Sequence, residues 1–205
     1  ALGSLGPNPS PPQSMPTLPS WHASEHTPHP IKPTPWKKPM LVTSAIVVFA
    51  AMGFTLWLSY NGLNAARKFI PWKFSEVAHT NPQELNAWLK DPNRTAPLLW
   101  DVRRKDEFDV SRLPKALHIS PETSDSELKK ILKNPNQCIV LYCAVGYRSA
   151  IMAERLKSLN HTNVFNLEGA IFAWATEGYP LEGSNKVHPF NSMGSLMLRD
   201  DLEAN

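Results

Sequence analysis

A run of 20 residues without a charged side chain, from Leu41 to Tyr60, constrains this chain more than any other feature. About 20 apolar residues in a helix span the hydrocarbon core of a bilayer, and the run is too long and too polar at its flanks for a buried core helix. Trp36 and two lysines precede the run, and Trp57 lies near its end, as interfacial anchors do. We therefore predict one transmembrane helix over residues 40–61.

The segments on either side of this run differ in composition. Residues 1–39 hold 11 of the 20 prolines, which favours extended or polyproline II conformations over a packed core. They are interpreted as an extended tail, which is either a disordered spacer or a segment that lies across a partner protein. Residues 62–75 are basic and aromatic, as suits a connector at the membrane surface. Lysine and arginine flank the run equally on both sides, so the orientation of the span is left open.

The distribution of charge argues against nucleic-acid binding. The net charge of +3 comes mainly from residues 1–75, which carry six Lys/Arg against one acid, whereas residues 76–182 carry 13 against 14. No basic patch is therefore expected on the folded part. Cys138 and Cys143 form neither a disulfide framework nor the paired spacing of a zinc site. Neither a metal nor a cofactor is expected.

Strand-like and helix-like segments alternate between residues 76 and 182. Asn81, Pro82 and Glu84 have the pattern of a capping box with proline at the first helical position, which predicts a helix start. Strands are predicted at Leu98–Val102, Leu117–Ile119, Cys138–Tyr142 and Asn163–Leu167. Further helices are predicted around Glu107, over Asp125–Leu132, over Arg148–Leu159 and over Ala170–Glu177. The alternation predicts an α/β fold with a mainly parallel sheet, helices on both faces and catalytic groups at the carboxyl ends of the strands.

Cys143 stands directly after the most apolar of these strands. A turn containing Gly146 follows, and then a helix with a roughly periodic apolar face. A thiol between a strand end and a helix N-terminus faces unpaired backbone N–H groups and the positive end of the helix dipole. Both features favour the thiolate, which is the nucleophilic form. The cysteine loop, Cys143–Ser149, is therefore predicted to carry sulfur chemistry.

Four segments of residues 76–182 together resemble the rhodanese family of single-domain sulfurtransferases. In chain order they are Trp100-Asp101-Val102-Arg103 with Glu107-Phe108, then Leu113-Pro114-Lys115-Ala116, then the cysteine loop, then Asn166-Leu167-Glu168-Gly169-Ala170 with Trp174, Gly178, Tyr179 and Pro180. The resemblance covers about half of the chain. It implies a rhodanese-like parallel sheet flanked by helices, preceded here by the transmembrane helix and the Pro-rich tail.

The resemblance also implies a mechanism. Cys143 is expected to attack a sulfane-sulfur donor and become a persulfide, which a thiol acceptor then discharges. Arg148 is expected to close the loop, either by binding an anionic group of the donor or by holding loop carbonyls. For Ser149, capping of the helix and donation to the sulfur both stay open. The remaining loop residues are expected to surround the sulfur with backbone N–H groups: Ala144, Val145, Gly146 and Tyr147. Asp101 and Arg103 are expected to support the scaffold rather than to react.

Loop length and loop composition narrow the chemistry further. Four residues separate Cys143 from Arg148, whereas phosphatases of the same fold have one more, so phosphatase activity is not expected. Ala144 and Val145 are uncharged where thiosulfate-preferring members of the family often carry basic residues. A protein persulfide, a low-molecular-weight persulfide or a polysulfide is therefore expected as the donor. The usual Gly-His-Ile-Pro-Gly-Ala pattern is also altered, to Ser111–Ala116, and the usual Gly-Gly to Gly169-Ala170.

Two functions stay open at this point. One is a membrane-anchored sulfurtransferase that moves sulfane sulfur through Cys143, which the intact loop favours. The other is an accessory subunit of a respiratory or photosynthetic membrane complex, with the rhodanese domain (residues 76–182) as an interaction module; the span and the C-terminal extension (residues 183–205) favour it. Expected partners are the sulfur donor, the thiol acceptor, the lipid bilayer and, for the second function, subunits of that complex. The missing initiator Met and secretory signal favour an organellar inner membrane, mitochondrial or thylakoid, over a bacterial plasma membrane.

Overall fold

The computed structural model describes residues 37–134 and 136–204. Most of the predicted Pro-rich tail, residues 1–36, lies outside the described residues. The chain divides into a unit of residues 1–41 and a compact unit of residues 42–205. The compact unit contains all of the strands described below.

Helices and strands alternate through most of the compact unit. The helices among the described residues are α1 Lys37–Lys73, α2 Pro82–Lys90, α3 Lys105–Val110, α4 Asp125–Ile131, α5 Tyr147–Ser158, α6 Ala170–Thr176 and α7 Ser192–Met197, with a 3₁₀ turn at Asp200–Leu202. The strands are β1 Ala78–Thr80, β2 Leu98–Asp101, β3 Ser111–Arg112, β4 Leu117–His118, β5 Ile139–Tyr142, β6 Val164–Leu167 and β7 Glu182–Gly183.

Five of the strands form one parallel sheet in the order β1-β6-β5-β2-β4. β5 is the central strand, and all four of its residues are buried. Its side chains alternate between two apolar cores, Val140 and Tyr142 in one and Ile139 and Leu141 in the other. The predicted α/β fold, with a parallel sheet flanked by helices, is confirmed. The carboxyl end of β5 points to the cysteine loop.

Two predicted helix starts have the hydrogen bonds that a capping box requires. The side chain of Asn81 accepts from the Glu84 N–H at 2.8 Å, and the Glu84 carboxylate accepts from the Asn81 N–H at 3.4 Å. Ser124 and Glu127 make the same reciprocal pair at the start of α4. Each box satisfies backbone donors that the first turn of a helix leaves unpaired.

Three of the short strands, β1, β3 and β7, were not predicted from the sequence. β1 is an edge strand of three residues, and β3 pairs with β7 over two residues in an antiparallel ribbon outside the main sheet. Segments this short have no measurable periodicity. Lys115, which replaces a glycine of the family pattern, follows three residues after β3. Lys115 adopts a φ of 61°, and its N–H donates to Glu182 Oε1 at 2.9 Å.

α1 contains the predicted membrane span. Among the described residues it is the one helix long and apolar enough to cross a membrane, with a mean hydropathy of 1.5 in its best 18-residue window and none of that window buried. Large apolar side chains such as Phe49 and Leu56 are 71% and 67% exposed. A helix with apolar side chains exposed over this length is typical of a segment in contact with lipid.

The helix continues beyond the predicted end of the span, through most of the segment expected to be a connector, residues 62–75, and ends at Lys73. Its last turns pack on the sheet: Ile70 is 4% exposed, and Phe74, just after the helix, is 6% exposed. Arg67 Nη1 forms an ion pair with Glu177 Oε1 at 3.1 Å. Pro71 lacks the N–H of the helical ladder, and the helix ends at Lys73. The same helix therefore has an exposed apolar half and a half that is part of the folded domain.

The two ends of the C-terminal extension are joined by backbone hydrogen bonds, and the extension packs on the core that contains Val140 and Tyr142. Val187 is fully buried; its N–H donates to Leu202 O at 2.7 Å, and its carbonyl accepts from Ala204 N at 3.0 Å. Leu198, just after α7, is 5% exposed and belongs to the same core. The extension is thus a packed loop of the domain from residue 187 to residue 204.

Candidate active site

Cys143 lies where the sequence predicts it, directly after the central strand β5. It is four residues before Tyr147, the first residue of α5. Its side chain is buried, with 1% of the residue exposed. The Gly146 N–H donates to Cys143 Sγ at 3.2 Å. α5 begins at Tyr147 with Gly146 as its N-cap, so the sulfur accepts a hydrogen bond from the first N–H of a helix start. This geometry favours negative charge on the sulfur.

The turn of the cysteine loop depends on Gly146. Its φ is 109°, and a Cβ at this position would stand 3.2 Å from the Leu167 carbonyl oxygen. The Gly146 carbonyl accepts a hydrogen bond from Asn166 Nδ2 at 3.1 Å. Asn166 is fully buried at the end of β6. The neighbouring strand therefore fixes the turn that directs the Gly146 N–H to the sulfur.

The first turn of α6 holds the other side of the loop. The Ile171 N–H donates to the Cys143 carbonyl at 3.2 Å, and the Phe172 N–H donates to the Ala144 carbonyl at 3.1 Å. These are N–H groups that a helix start leaves without partners inside the helix. Because loop carbonyls satisfy them, the loop peptides are held in one orientation.

Arg148 has a partner that the sequence interpretation did not assign. Its Nη1 and Nη2 donate to the two carboxylate oxygens of Glu107 at 2.9 and 2.8 Å. Glu107 is fully buried and also accepts the Arg104 N–H at 3.0 Å. The pair joins the cysteine loop to α3, whereas the prediction offered an anionic group of the donor or loop carbonyls as partners. The sequence interpretation placed Glu107 in a predicted helix and in a family motif, but gave it no role in the site.

Both charges of this pair are stabilised by the fold. Burial by itself raises the pKa of Glu107, but the hydrogen bonds from Arg148 and from the Arg104 N–H outweigh it, and the pKa lies below its usual value. Burial by itself lowers the pKa of Arg148, but the hydrogen bonds to Glu107 and the charge of its carboxylate act against it, and the pKa lies above its usual value. The pair is therefore ionised on both sides at neutral pH.

The other loop residues predicted for the site have different environments. Ala144 is buried, Val145 is half-buried, and Tyr147 is 39% exposed with its ring edge-on to Phe74 at 5.3 Å. Ser149 does not cap α5, since the N-cap is Gly146 and no side chain caps it. The Ser149 hydroxyl is buried and has no hydrogen-bond partner among the described residues. Of the two roles considered for Ser149, capping of α5 is therefore not observed, and donation of a hydrogen bond to the sulfur stays a prediction.

Asp101 and Arg103 form a buried ion pair beside the loop. Both side chains are 0% exposed, and Arg103 Nη2 lies 2.7 Å from Asp101 Oδ2. Arg103 Nη2 also donates to the Ser111 carbonyl, and His118 Nε2 is 2.9 Å from the Arg103 carbonyl. These contacts join β2 to β3 and β4. Contacts of this kind are what a residue pair that supports the scaffold would make, as was expected for Asp101 and Arg103.

Both cysteines are free thiols. Cys138 precedes β5, at the opposite end of the strand from Cys143, and is half-buried. Burial raises the pKa of the Cys138 thiol, and the charge of Arg94 offsets this only in part. Within residues 37–134 and 136–204, no group of three or more His, Cys, Asp or Glu side chains is arranged to hold a metal ion.

Comparison with known proteins finds similarity to rhodanese-like domains and sulfurtransferases. Residues 81–177 match the family model described as a rhodanese-like domain. A protein named "Sulfurtransferase" from Allochromatium vinosum is 32% identical over 84 residues, which cover 41% of this chain and 77% of that protein. The crystal structure of a rhodanese-like domain protein from Staphylococcus aureus is 29% identical, with a TM-score of 0.44, and covers 53% of this chain and 99% of that chain.

Longer relatives match over only part of their length. "Probable adenylyltransferase/sulfurtransferase MoeZ" from Mycobacterium tuberculosis is 32% identical over 100 residues, which cover 48% of this chain and 25% of that protein. The "tRNA uridine(34) hydroxylase" from Sodalis glossinidius is 25% identical over 130 residues, which cover 60% of this chain and 36% of that protein. The chain therefore spans between a quarter and just over a third of the length of these relatives.

Proposed function

Because this chain belongs to the rhodanese-like domain family, we propose that it is a membrane-anchored sulfurtransferase that carries sulfane sulfur as a persulfide on Cys143. The observation that carries the proposal is the hydrogen bond from the Gly146 N–H to Cys143 Sγ, made at the start of α5. A buried sulfur that accepts a hydrogen bond at a helix N-terminus is stabilised as an anion. Sulfurtransferases among the relatives support the same activity class.

The first half-reaction transfers sulfur from the donor to the enzyme. The Cys143 thiolate attacks the outer sulfur of a donor R–S–SH and forms a new S–S bond. The S–S bond of the donor breaks, and its electron pair leaves with the donor thiolate R–S⁻. The products are Cys143–S–SH and R–S⁻, so that no external oxidant or reductant is needed.

The second half-reaction returns the enzyme to its starting state. An acceptor thiolate R′–S⁻ attacks the outer sulfur of the persulfide and becomes R′–S–SH. The electron pair of the broken S–S bond returns to Cys143 as the thiolate. In both steps the Gly146 N–H is placed to stabilise charge on the Cys143 sulfur. The unpartnered Ser149 hydroxyl is the further donor available in this part of the loop.

Arg148 has a positioning role in this scheme. Its guanidinium is held by the Glu107 carboxylate, which also accepts a backbone N–H at the start of α3. Movement of the loop would break two hydrogen bonds to a buried carboxylate, which is costly. Arg148 thus keeps the loop closed, and its charge favours the thiolate and persulfide anions of Cys143.

The test is persulfide formation by the full chain in mild detergent. After incubation with a low-molecular-weight persulfide, intact mass and peptide mapping should show one added sulfur atom on Cys143, which cyanide then removes as thiocyanate. The matched variants are Cys143→Ser, which should gain no sulfur, and Cys138→Ser, which should behave as the wild type. A wild-type chain that gains no sulfur on Cys143 from persulfide, polysulfide or thiosulfate would refute the proposal.

We further propose that the exposed apolar half of α1 crosses the bilayer once and holds the domain at the membrane surface. Support comes from its length, its hydropathy and the exposure of its apolar side chains. The full chain should stay with membranes after alkaline carbonate extraction. A Val48→Arg variant places a charge near the middle of the span, at a cost of about 2.5–3.5 kcal/mol for insertion, and should be extracted. Extraction of the wild type would contradict the anchor.

A further inference from the structure

The C-terminal extension brings an aromatic ring to the cysteine loop. Phe190 lies on the packed loop that Val187 closes by hydrogen bonds to Leu202 and Ala204. Its ring contacts Phe172, with 6.0 Å between the centroids. Phe172 is the residue whose N–H holds the Ala144 carbonyl. The extension lies outside the segment matched by the family model, residues 81–177, so this contact is a feature of this chain's own tail.

The backbone of Phe190 is held in a conformation that its side chain disfavours. Its φ is 57°, in the left-handed region that only glycine adopts freely. The Phe190 N–H donates to His188 Nδ1 at 2.9 Å, and the next residue, Asn191, caps α7. A bulky residue in this region is strained, and such strain persists only where the surrounding structure holds the residue in place. The contacts of Phe190 with His188 and Phe172 hold it in this conformation.

The ring covers the guanidinium of Arg148. Arg148 Cζ lies 5.6 Å from the Phe190 ring centroid, within the range of a cation–π contact. Both terminal nitrogens of Arg148 are already bonded to Glu107. The next cation at this carboxylate, Arg104, has its own bidentate partner in Asp106, at 3.1 and 2.9 Å. An anion that enters the site beside Glu107 thus meets two arginines that are already paired with carboxylates, and one of them, Arg148, also has an aromatic ring at cation–π distance.

We propose that Phe190 is a specificity-determining residue that makes the site select alkyl persulfides over thiosulfate. The inference rests on the proposed persulfide chemistry at Cys143. Thiosulfate carries a sulfonate directly on the transferred sulfur, and that group needs an unpaired cation next to the cysteine. An alkyl persulfide carries carbon on that side, and its chain has apolar surface that can lie against the Phe190 ring.

The experiment compares two donors on the full chain in mild detergent, with single-turnover sulfur transfer to Cys143 followed by mass spectrometry. The donors are cysteine persulfide and thiosulfate. The Phe190→Gly variant loses the ring, and glycine adopts the left-handed backbone conformation without steric strain. The ratio of the second-order rate constants should shift toward thiosulfate by roughly tenfold, the size of one lost cation–π and apolar contact. The shift should appear in the concentration dependence rather than in the rate at saturation.

Two further variants separate the ring from its backbone. Phe190→Asn keeps a side chain that tolerates positive φ but removes the aromatic face, and should shift the donor ratio as Phe190→Gly does. Asn160 has a φ of 66° at the end of α5, so Asn160→Gly relieves the same kind of strain elsewhere and should leave the ratio unchanged.

The outcomes distinguish this inference from the proposed function. If wild-type Cys143 accepts sulfur from the donors and the ratio is the same in Phe190→Gly, Phe190 has no role in selection while the sulfurtransferase function stands. The same conclusion holds if Asn160→Gly shifts the ratio as much as Phe190→Gly. If neither of these donors nor a polysulfide loads Cys143 of the wild type, the proposed function itself fails, and this inference fails with it.

Discussion

The carboxylate of Glu107 receives both terminal nitrogens of Arg148, with Oε2 accepting from Nη1 at 2.9 Å and Oε1 from Nη2 at 2.8 Å. Glu107 is fully buried, whereas the Arg148 side chain is 32% exposed. The pair fastens the end of the cysteine loop to α3. It also explains how a loop that starts a helix can present an arginine without leaving an uncompensated charge.

Glu107→Gln should destabilise the protein and slow persulfide formation. The amide keeps the shape of the carboxylate but removes its charge, and hydrogen bonds to a charged group are worth about 1.5–3 kcal/mol. Urea unfolding of the full chain in mild detergent, followed by tryptophan fluorescence, would measure the loss. Glu182→Gln is the matched control, because Glu182 pairs with Arg112 at the surface, at 3.3 Å. Equal stability of Glu107→Gln and the wild type would contradict the role of the pair.

The same pair predicts how stability depends on pH. The pKa of Glu107 is lower in the folded protein than in the unfolded chain, so the stabilisation is complete above the usual glutamate pKa of about 4.3. It is lost as the pH falls through the lower pKa of the folded state. The difference in melting temperature between the wild type and Glu107→Gln should therefore be constant from about pH 7 to about pH 5 and shrink as the pH falls further to about 3. A difference that stays constant down to about pH 3 would mean that the pKa of Glu107 is not lowered in the folded protein.

Two ion pairs of the same sequence spacing should contribute differently to stability, because one is buried and the other is exposed. Asp101–Arg103 is 0% exposed on both sides, whereas Asp106–Arg104 is 56% exposed on both sides. Asp101→Ala leaves a buried arginine without its carboxylate partner and should cost about 3–5 kcal/mol. Asp106→Ala should leave the stability near that of the wild type. Chemical unfolding of the two variants side by side checks this, and similar losses would argue against burial as the cause.

At position 115, glycine should give a more stable protein than alanine. At its φ of 61° an L-residue pays a steric cost of about 1–2 kcal/mol that glycine does not. Lys115→Gly should therefore be more stable than Lys115→Ala. Lys129, an exposed residue within α4, is the control: there alanine should be more stable than glycine by about 1 kcal/mol. Melting temperatures of the four variants give the two orders, and the same order at both positions would contradict the expectation.

Gly146→Ala should abolish persulfide formation. The new Cβ would be strained at a φ of 109° and would stand 3.2 Å from the Leu167 carbonyl oxygen, so the turn must shift and move the N–H away from the sulfur. Gly178→Ala is the control: its φ is 76°, but no atom lies within 4 Å of the added Cβ. It should cost about 1–2 kcal/mol in stability and leave sulfur transfer intact. Mass spectrometry of Cys143 after donor treatment separates the two, and full persulfidation of Gly146→Ala would show that the turn is not required.

The elements predicted well from the sequence are those whose causes are local. The capping box at Asn81 and the strand before Cys143 each depend on a few consecutive residues. The two-residue strands β3 and β7 could not be predicted, because a ribbon of this length is formed by its partner rather than by its own pattern. The length of α1 was missed for a related reason. Its last turns are basic and aromatic in sequence, but Ile70 and the Arg67–Glu177 ion pair attach them to the domain.

The sequence by itself determined the apolar span, the α/β alternation and the position of Cys143 between a strand and a helix, because hydrophobic pattern and turn chemistry act between near neighbours. The tertiary structure decided what surrounds the sulfur. Arg148 meets Glu107, which lies 41 residues away, and Asn166 reaches Gly146 from 20 residues away. Phe190 comes to the same loop from the C-terminal extension. Such partners depend on the order of strands in the sheet and on how the chain returns to it, which no local pattern encodes.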